Sequence, residues 1–299
     1  SRNLGNLETK GLDFSIGWND RMGDFRYSVT AIISDSKNKL VELRGNDSFG
    51  EGLIFARKGY SLNSYFGYQY DGIIQNAEQL AAYKQTGNVP SKLDLGDVMF
   101  RDVDGDGKIT AFGDQAKGTT GDLVYLGNLM PRYTYSTNIG LSYKNFDLNI
   151  FIQGVGKRSG VRTGEISVPL WQVWMEPLKY FYGKSWTPDN PDAQYPRIVP
   201  GSVGADEIKN WNWRYSSLRM VNLAYLRFKV LTLAYNLPQS VARKVKMQNI
   251  RVYASGEDLF TFSKGTWDNS FSPEETWERS DEQTYPFNSV ISFGLDIKF

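Results

Sequence analysis

The sequence predicts an all-β protein of antiparallel strands, each with one oily and one wet side. Three observations lead there. At the C-terminus Phe287, Ser289, Ile291, Phe293, Leu295, Ile297 and Phe299 alternate with Asn288, Val290, Ser292, Gly294, Asp296 and Lys298. The same alternation recurs through much of the chain. No apolar run approaches the ~20 residues of a membrane-spanning helix, which excludes a helical membrane protein. Such strands fit the wall of an outer-membrane barrel, apolar toward lipid and polar toward the lumen. Periodicity alone fits a sandwich with one solvated face equally well.

Each element follows from its local pattern. Leu12, Phe14, Ile16 and Trp18 alternate with Asp13, Ser15, Gly17 and Asn19. Past a turn at Asp20 to Asp24, Tyr27, Val29, Ala31 and Ile33 alternate with Arg26, Ser28 and Thr30. Further strands are expected around 52–60 and 63–75. Within 76–96, Asn76-Ala77-Glu78-Gln79 reads as a capped helix start and Gly87 as its stop. Tyr133 to Tyr143 and Phe146 to Ile152 form a hairpin around Lys144-Asn145, with Phe151 breaking the alternation. Segments 223–237 and 248–262 supply two more strands, through Leu231, Leu233, Tyr235 and Leu237 and through Ile250, Val252 and Ala254. The total is roughly nine or ten strands, joined alternately by tight turns and long polar loops. The longest loop, 157–222, holds Trp171, Trp174, Trp186, Trp211 and Trp213.

Composition excludes more than it assigns. The 299 residues are 40% hydrophobic and 14% aromatic, an excess suited to interfacial girdles, sugar-stacking loops or a β core. A net charge of +1 without a long basic stretch argues against nucleic acid as a partner. The chain contains neither cysteine nor histidine. Disulfides, Ser-His-Asp or Cys-His nucleophiles and histidine-ligated zinc are therefore impossible within it. A glycosidase working through two carboxylates is a formal option, given Glu176 and the cluster Glu274, Glu275, Glu278, Asp281 and Glu282. The cluster reads as a solvated loop, because nothing in the sequence gathers its members. Arg243, Lys244 and Lys246 read as a basic turn between strands. The N-terminus has no start methionine or secretion signal, and reads as the tail of a longer polypeptide or a processed piece.

The sharpest local motif is Asp102-Val103-Asp104-Gly105-Asp106-Gly107-Lys108-Ile109. Carboxylates at alternate positions converge when the backbone curls, and hard oxygen ligands at this spacing suit calcium. The expected ligands are the Asp102, Asp104 and Asp106 side chains, the Lys108 carbonyl, and Asp114, since the usual acidic twelfth position is Gly113. Such a site would staple structure.

The motif belongs to a longer block, Gly96-Asp97-Val98-Met99-Phe100-Arg101 running into Asp102 to Ile109. This block resembles the GD-x-x-(Y/F)-x-D-x-(N/D)-G-D-G-x-I segment of SusC/RagA-type TonB-dependent transporters of Bacteroidetes. Asn6 to Asp13 is similar to that family's N-K-G-(I/V)-E strand opening, and Phe66 to Ile73 to its F-Y-G-Y-x-x-D-G-I segment. The hairpin pieces Pro131 to Tyr135, Tyr143 to Leu148 and Gln153-Gly154 also match. Trp186-Thr187-Pro188-Asp189-Asn190-Pro191 followed by Tyr195-Pro196-Arg197 resembles W-T-P-x-N-P…Y-P-R. Tyr225 to Lys229, Tyr235 to Pro238 and Val252 to Gly256 complete a series that spans nearly the whole chain in order.

The resemblance implies an antiparallel transmembrane barrel of about 22 strands with a plugged lumen, of which residues 1–299 form the C-terminal part. The plug and the TonB box would lie outside this chain. An open sheet cannot rest in lipid with unpaired edges, so the remainder of the barrel is expected in the same particle. The implied function is energised import across the outer membrane of a large nutrient, an oligosaccharide or in some members a peptide. The implied partners are a SusD-like lipoprotein lid and TonB. On that reading Trp171, Trp174, Trp211 and Trp213 in the 157–222 loop would contact substrate or lid, or else pack the loop's own core. Phe299 would serve as a barrel-assembly signal. Two other classes stay open: a secreted, calcium-stapled carbohydrate-binding β module, and a carboxylate glycosidase.

Overall fold

The computed structural model describes residues 5–43, 48–49, 56–113, 117–161, 167–172, 174–201, 206–263, 272–274 and 288–299. Its main element is a seven-stranded antiparallel sheet: β1 (Gly5–Met22), β2 (Phe25–Leu43), β3 (Arg132–Tyr143), β4 (Phe146–Lys157), β5 (Tyr225–Asn236), β6 (Asn249–Ser263) and β7 (Val290–Lys298). Strands neighbouring in sequence also neighbour in space, and β1 and β7 form the two edges. This is a barrel segment of the kind the resemblance implies.

Among the described residues the sheet takes seven strands where nine or ten were expected. The runs near 52–60 and 63–75 are short: Ala56–Arg57, Ser64–Tyr68 and Tyr70–Ile73 pair only with Ser48–Phe49, Leu123–Asn128 and Val98–Phe100 respectively. Gly59 and Gly72 take positive φ there, so the chain turns before a strand reaches wall length. Local alternation reports a strand. It does not report which sheet the strand joins.

Connections are strongly asymmetric. At one end β1 turns into β2 through Gly23-Asp24 and β3 into β4 through Lys144-Asn145. At that end β5 reaches β6 through the short helix α3 (Gln239–Lys244), which occupies the expected basic turn. At the other end the segments 44–131, 158–224 and 264–289 make the long links. The first two fold together into a lobe. Its apolar core joins Ile74, Leu93, Val98, Phe100 and Ile109 from one link to Val199, Ile208 and Trp211 from the other. A second cluster packs Val168, Phe181, Tyr195 and Trp213. The helix expected in the first link is α1 (Ala77–Tyr83), which ends before Gly87. Asn76 Oδ1 accepts the Gln79 N–H, while Gln79 Oε1 accepts from Gln75, satisfying two donors at the helix start.

Candidate functional site

Strand register gathers the local alternation into two continuous faces. Trp18, Val29, Ile139, Ile150, Leu231, Gly256 and Ile291 stand opposite one another across all seven strands. The next row toward the turns is Tyr27, Leu141, Leu148, Leu233, Ala254 and Phe293. One residue over, Asn19, Ser28, Gly140, Asn149, Thr232, Ser255 and Ser292 form a polar row on the other face. Because side-chain period is two, a single slip in any pairing would break both rows. Phe14, Ile16, Trp18, Ile291 and Phe293 are all exposed, so among the described residues nothing covers the apolar face there. Toward the turns it ends in an aromatic row, Phe25, Tyr143, Phe146 and Tyr235, in register. The Phe146 and Tyr235 rings lie 4.7 Å apart, and the Trp18 indole N–H donates to the Tyr27 hydroxyl. Rings with polar tips in this position are the arrangement of an interfacial girdle.

Sequence segments about a hundred residues apart meet in the lobe. The Asp97 carboxylate is fully buried and accepts two N–H bonds from Arg197, at 2.8 and 3.0 Å. It also accepts from Asn212 Nδ2 and from the Asp94 N–H, both at 2.8 Å. Asn212 Oδ1 in turn accepts the Val98 N–H, and the Trp211 indole donates to the Val98 carbonyl. Both residues lie on α2 (Glu207–Asn212), started by Asp206 accepting the Lys209 N–H. Gly96 has φ +88 and sits against the Trp186 ring, which a Cβ would approach within 2.3 Å. Only glycine meets both demands. One anion and one glycine thus fasten the two links into a single body.

The acidic loop is closed by its own backbone. Asp102 accepts from the Gly105 and Gly107 N–H groups, and Asp104 from Thr120 and Gly121. Ile109 plugs into the lobe core, and Gly87 pairs with the strand-like residue Lys108. The carboxylates that converge are Asp102, Asp104 and Asp122, with ligand oxygens within 4.8 Å of one another. Among the described residues this cluster shares Asp102 and Asp104 with the expected set and adds Asp122. Asp106 turns its carboxylate to the Lys108 N–H, and Asp114 lies outside the described residues. Asp122, buried and accepting from Val103 and Thr110, enters from beyond the motif, so spacing gave no notice of it. Burial pushes the Asp122 carboxyl up, with Asp104 and Asp102 adding repulsion. The Gly121, Asp106 and Thr120 N–H groups hold Asp104 down. Three hard, mutually repelling oxygen donors fit a divalent cation such as calcium.

No protein-family model matches the chain. Two curated proteins of Formosa agariphila match along its whole length. TonB-dependent receptor P3 is 30% identical over 324 aligned residues, and TonB-dependent receptor P26 is 24% identical over 323. Along its whole length the chain is similar to TonB-dependent receptors. It spans 29% and 30% of the length of those receptors. The solved RagAB peptide transporter is similar in fold, with a TM-score of 0.70 at 18% identity over 100% of this chain and 30% of that one. The RagAB importer in its open-open state gives 0.64 over 99% and 29%. The SusC/RagA resemblance carried by the motifs is borne out.

Within this receptor segment the tryptophans separate by environment. Trp211 and Trp213 are buried in the two lobe clusters, edge-to-face with Phe100 and Phe181, so neither ring is open to a ligand. Trp171 is half-buried against the second cluster. Trp174 is 75% exposed, and Tyr182 in the same link is 89% exposed. The period of a loop sequence carries no burial information, so only folding could sort the four. Phe299 is exposed, one residue past the end of β7.

Glu274 departs from the solvated-loop reading. Its carboxylate accepts from Gln153 (2.6 Å), the Tyr225 hydroxyl (2.7 Å) and Arg227 (2.7 Å), pinning residues 272–274 against the polar face of the receptor wall. Glu275, Glu278, Asp281 and Glu282 lie outside the described residues. Arg227 is itself buried and also donates to Thr261 and Ser272. The Glu274→Ala substitution takes the 2.7 Å carboxylate away from that buried guanidinium and is expected to cost about 2–4 kcal/mol. Faster proteolysis of the 264–289 link in the intact receptor would register it.

Proposed function

We propose that this chain forms the closing part of the wall of an outer-membrane, TonB-dependent importer of a large nutrient. The observation that carries the reading is the pair of register-continuous faces, apolar and polar, in a chain matching TonB-dependent receptors throughout. The apolar face meets hydrocarbon and the polar face lines an aqueous lumen. The wall performs no bond chemistry. Its hydrogen-bonded ladder stays rigid while a plug, worked by TonB, moves against small polar residues such as Ser28, Gly140 and Ser255. The rest of the barrel pairs with β1 and β7, whose backbone edges cannot face lipid unpaired.

The lobe stands at the loop end, where a SusD-like lipoprotein would close over the mouth. We take the cargo to be an oligosaccharide, because the exposed Trp174 and Tyr182 offer ring faces of the kind sugars stack on. Peptide import by the same architecture is the second reading, favoured by the likeness in fold to a peptide transporter. Deleting the receptor gene and feeding candidate glycans or peptides separates the two. Growth lost on a glycan and kept on peptides supports the first, and the converse supports the second. Growth unchanged on every large nutrient overturns import. Trp174→Ala is expected to slow glycan uptake about tenfold, one stacking contact's worth, while leaving receptor levels unchanged.

We further propose that calcium occupies the Asp102–Asp104–Asp122 cluster as a structural ion. Added calcium at about a hundred times its dissociation constant would stabilise the lobe by ~2.7 kcal/mol. A chelator is then expected to lower the lobe's unfolding temperature in wild type and to leave the Asp122→Asn variant unmoved. Equal responses of the two proteins would refute the site.

A further inference from the structure

We propose that a cation-rich recess at the loop end of β2 binds the phosphates of an outer-leaflet glycolipid. This inference rests on the reading that the apolar face meets the membrane. The recess has a volume of about 420 Å³ and opens where β2 runs on past the end of its pairing with β3. Lys37, Lys39, Arg132 and Lys157 line it together with Tyr60 and Tyr133.

Position along the strand places it at the headgroup level. The apolar face of β2 runs from Phe25 to Ile33, ~27 Å of strand, or about 20 Å of height at a tilt of ~40°. Lys37 and Lys39 share that face and stand about 10–15 Å above Ile33, at the upper margin of a ~25 Å apolar band. A lumenal cargo would meet the opposite face.

The charges there are unbalanced. Arg132 clamps Asp35 through Nε and one terminal nitrogen, one to each carboxylate oxygen, which leaves that pair neutral. On β1, Lys10 stands directly opposite Lys37, and Glu8 opposite Lys39. Glu8 pairs with Lys10 at 2.8 Å, but both are well exposed, and such a contact neutralises little. Like charges facing each other across two strands destabilise the pairing. Among the described residues no ion pair engages Lys37, Lys39 or Lys157. A phosphate seated between them would relieve the repulsion, and basic side chains at this depth are the usual means of holding anionic headgroups.

The test uses the complete receptor in mild detergent, with lipid A carrying two phosphates as the probe. The variant Lys37→Gln/Lys39→Gln/Lys157→Gln leaves the Arg132–Asp35 clamp intact. It is expected to bind the probe roughly a hundredfold more weakly, each lysine contributing about fivefold. Fully dephosphorylated lipid A is expected to bind wild type no better than the probe binds the variant. Millimolar inorganic phosphate is expected not to displace the probe. Equal affinity of variant and wild type, equal binding of the dephosphorylated lipid, or displacement by free phosphate would each overturn the proposal. Retained heat-modifiable mobility on a cold gel shows that the triple variant has folded; if it has not, Lys37→Gln alone is expected to lose about fivefold. Failure of the membrane reading has a different signature: the receptor would then remain soluble without detergent.

Discussion

Asp97→Ala is expected to unfold the lobe at the loop end while leaving the strand wall in place. The substitution removes the buried carboxylate that the part-exposed Arg197 grips and strips acceptors from Asn212 and the Asp94 N–H. Removing a fully buried anion shared by several donors costs about 3–5 kcal/mol, because the buried Asn212 amide loses its acceptor and Arg197, still part-exposed, loses its ion partner. The lobe's stability rests on two modest apolar clusters, so a loss of that size is decisive. Hydrogen exchange at Val98 and Phe100 should accelerate to the rate of an open state, while amides of β3 to β6 keep their protection. Arg197→Lys keeps the charge and loses the two-pronged geometry, so a smaller loss of about 1–2 kcal/mol is expected. Protection unchanged at Val98 in Asp97→Ala would mean that the motif residues do not hold the two links together.

The second large effect separates a membrane wall from a soluble sheet. Ile291 is 68% exposed in the middle of the apolar face, and Ser292 is its exposed neighbour on the polar face. In water, Ile291→Lys would change stability by no more than about 0.5 kcal/mol, as surface substitutions do. Against hydrocarbon the same change costs about 2–4 kcal/mol at the bilayer midplane. Receptor levels in the outer membrane are therefore expected to fall sharply for Ile291→Lys and to hold for Ser292→Lys. Quantifying folded receptor by its heat-modifiable gel mobility measures both. Equal levels of the two variants would place water on both faces.

Much of the wall was legible because strand period is a local property. Phe14, Ile16 and Trp18 announce an oily side within eight residues of one another, and so do Ile291, Phe293 and Leu295. The tight turns at Gly23-Asp24 and Lys144-Asn145 were equally readable from their composition. The short strands near 64–73 were assigned to the wall in error, since alternation names no partner. In the acidic loop Asp102 and Asp104 were found by spacing. Asp122 was invisible, because it reaches the cluster through the return path of the chain.

By itself, then, the sequence determined the period of every long strand, the absence of histidine and cysteine chemistry, and the family motifs as separate words. Tertiary structure decided what those words do together. It set Gly96-Asp97 against Trp186 and Arg197, sank Trp211 and Trp213 into cores while leaving Trp174 outside, and drew Glu274 onto Arg227. The physical reason is one of range: backbone alternation is fixed by neighbours in the chain, whereas burial and charge pairing are fixed by neighbours in space.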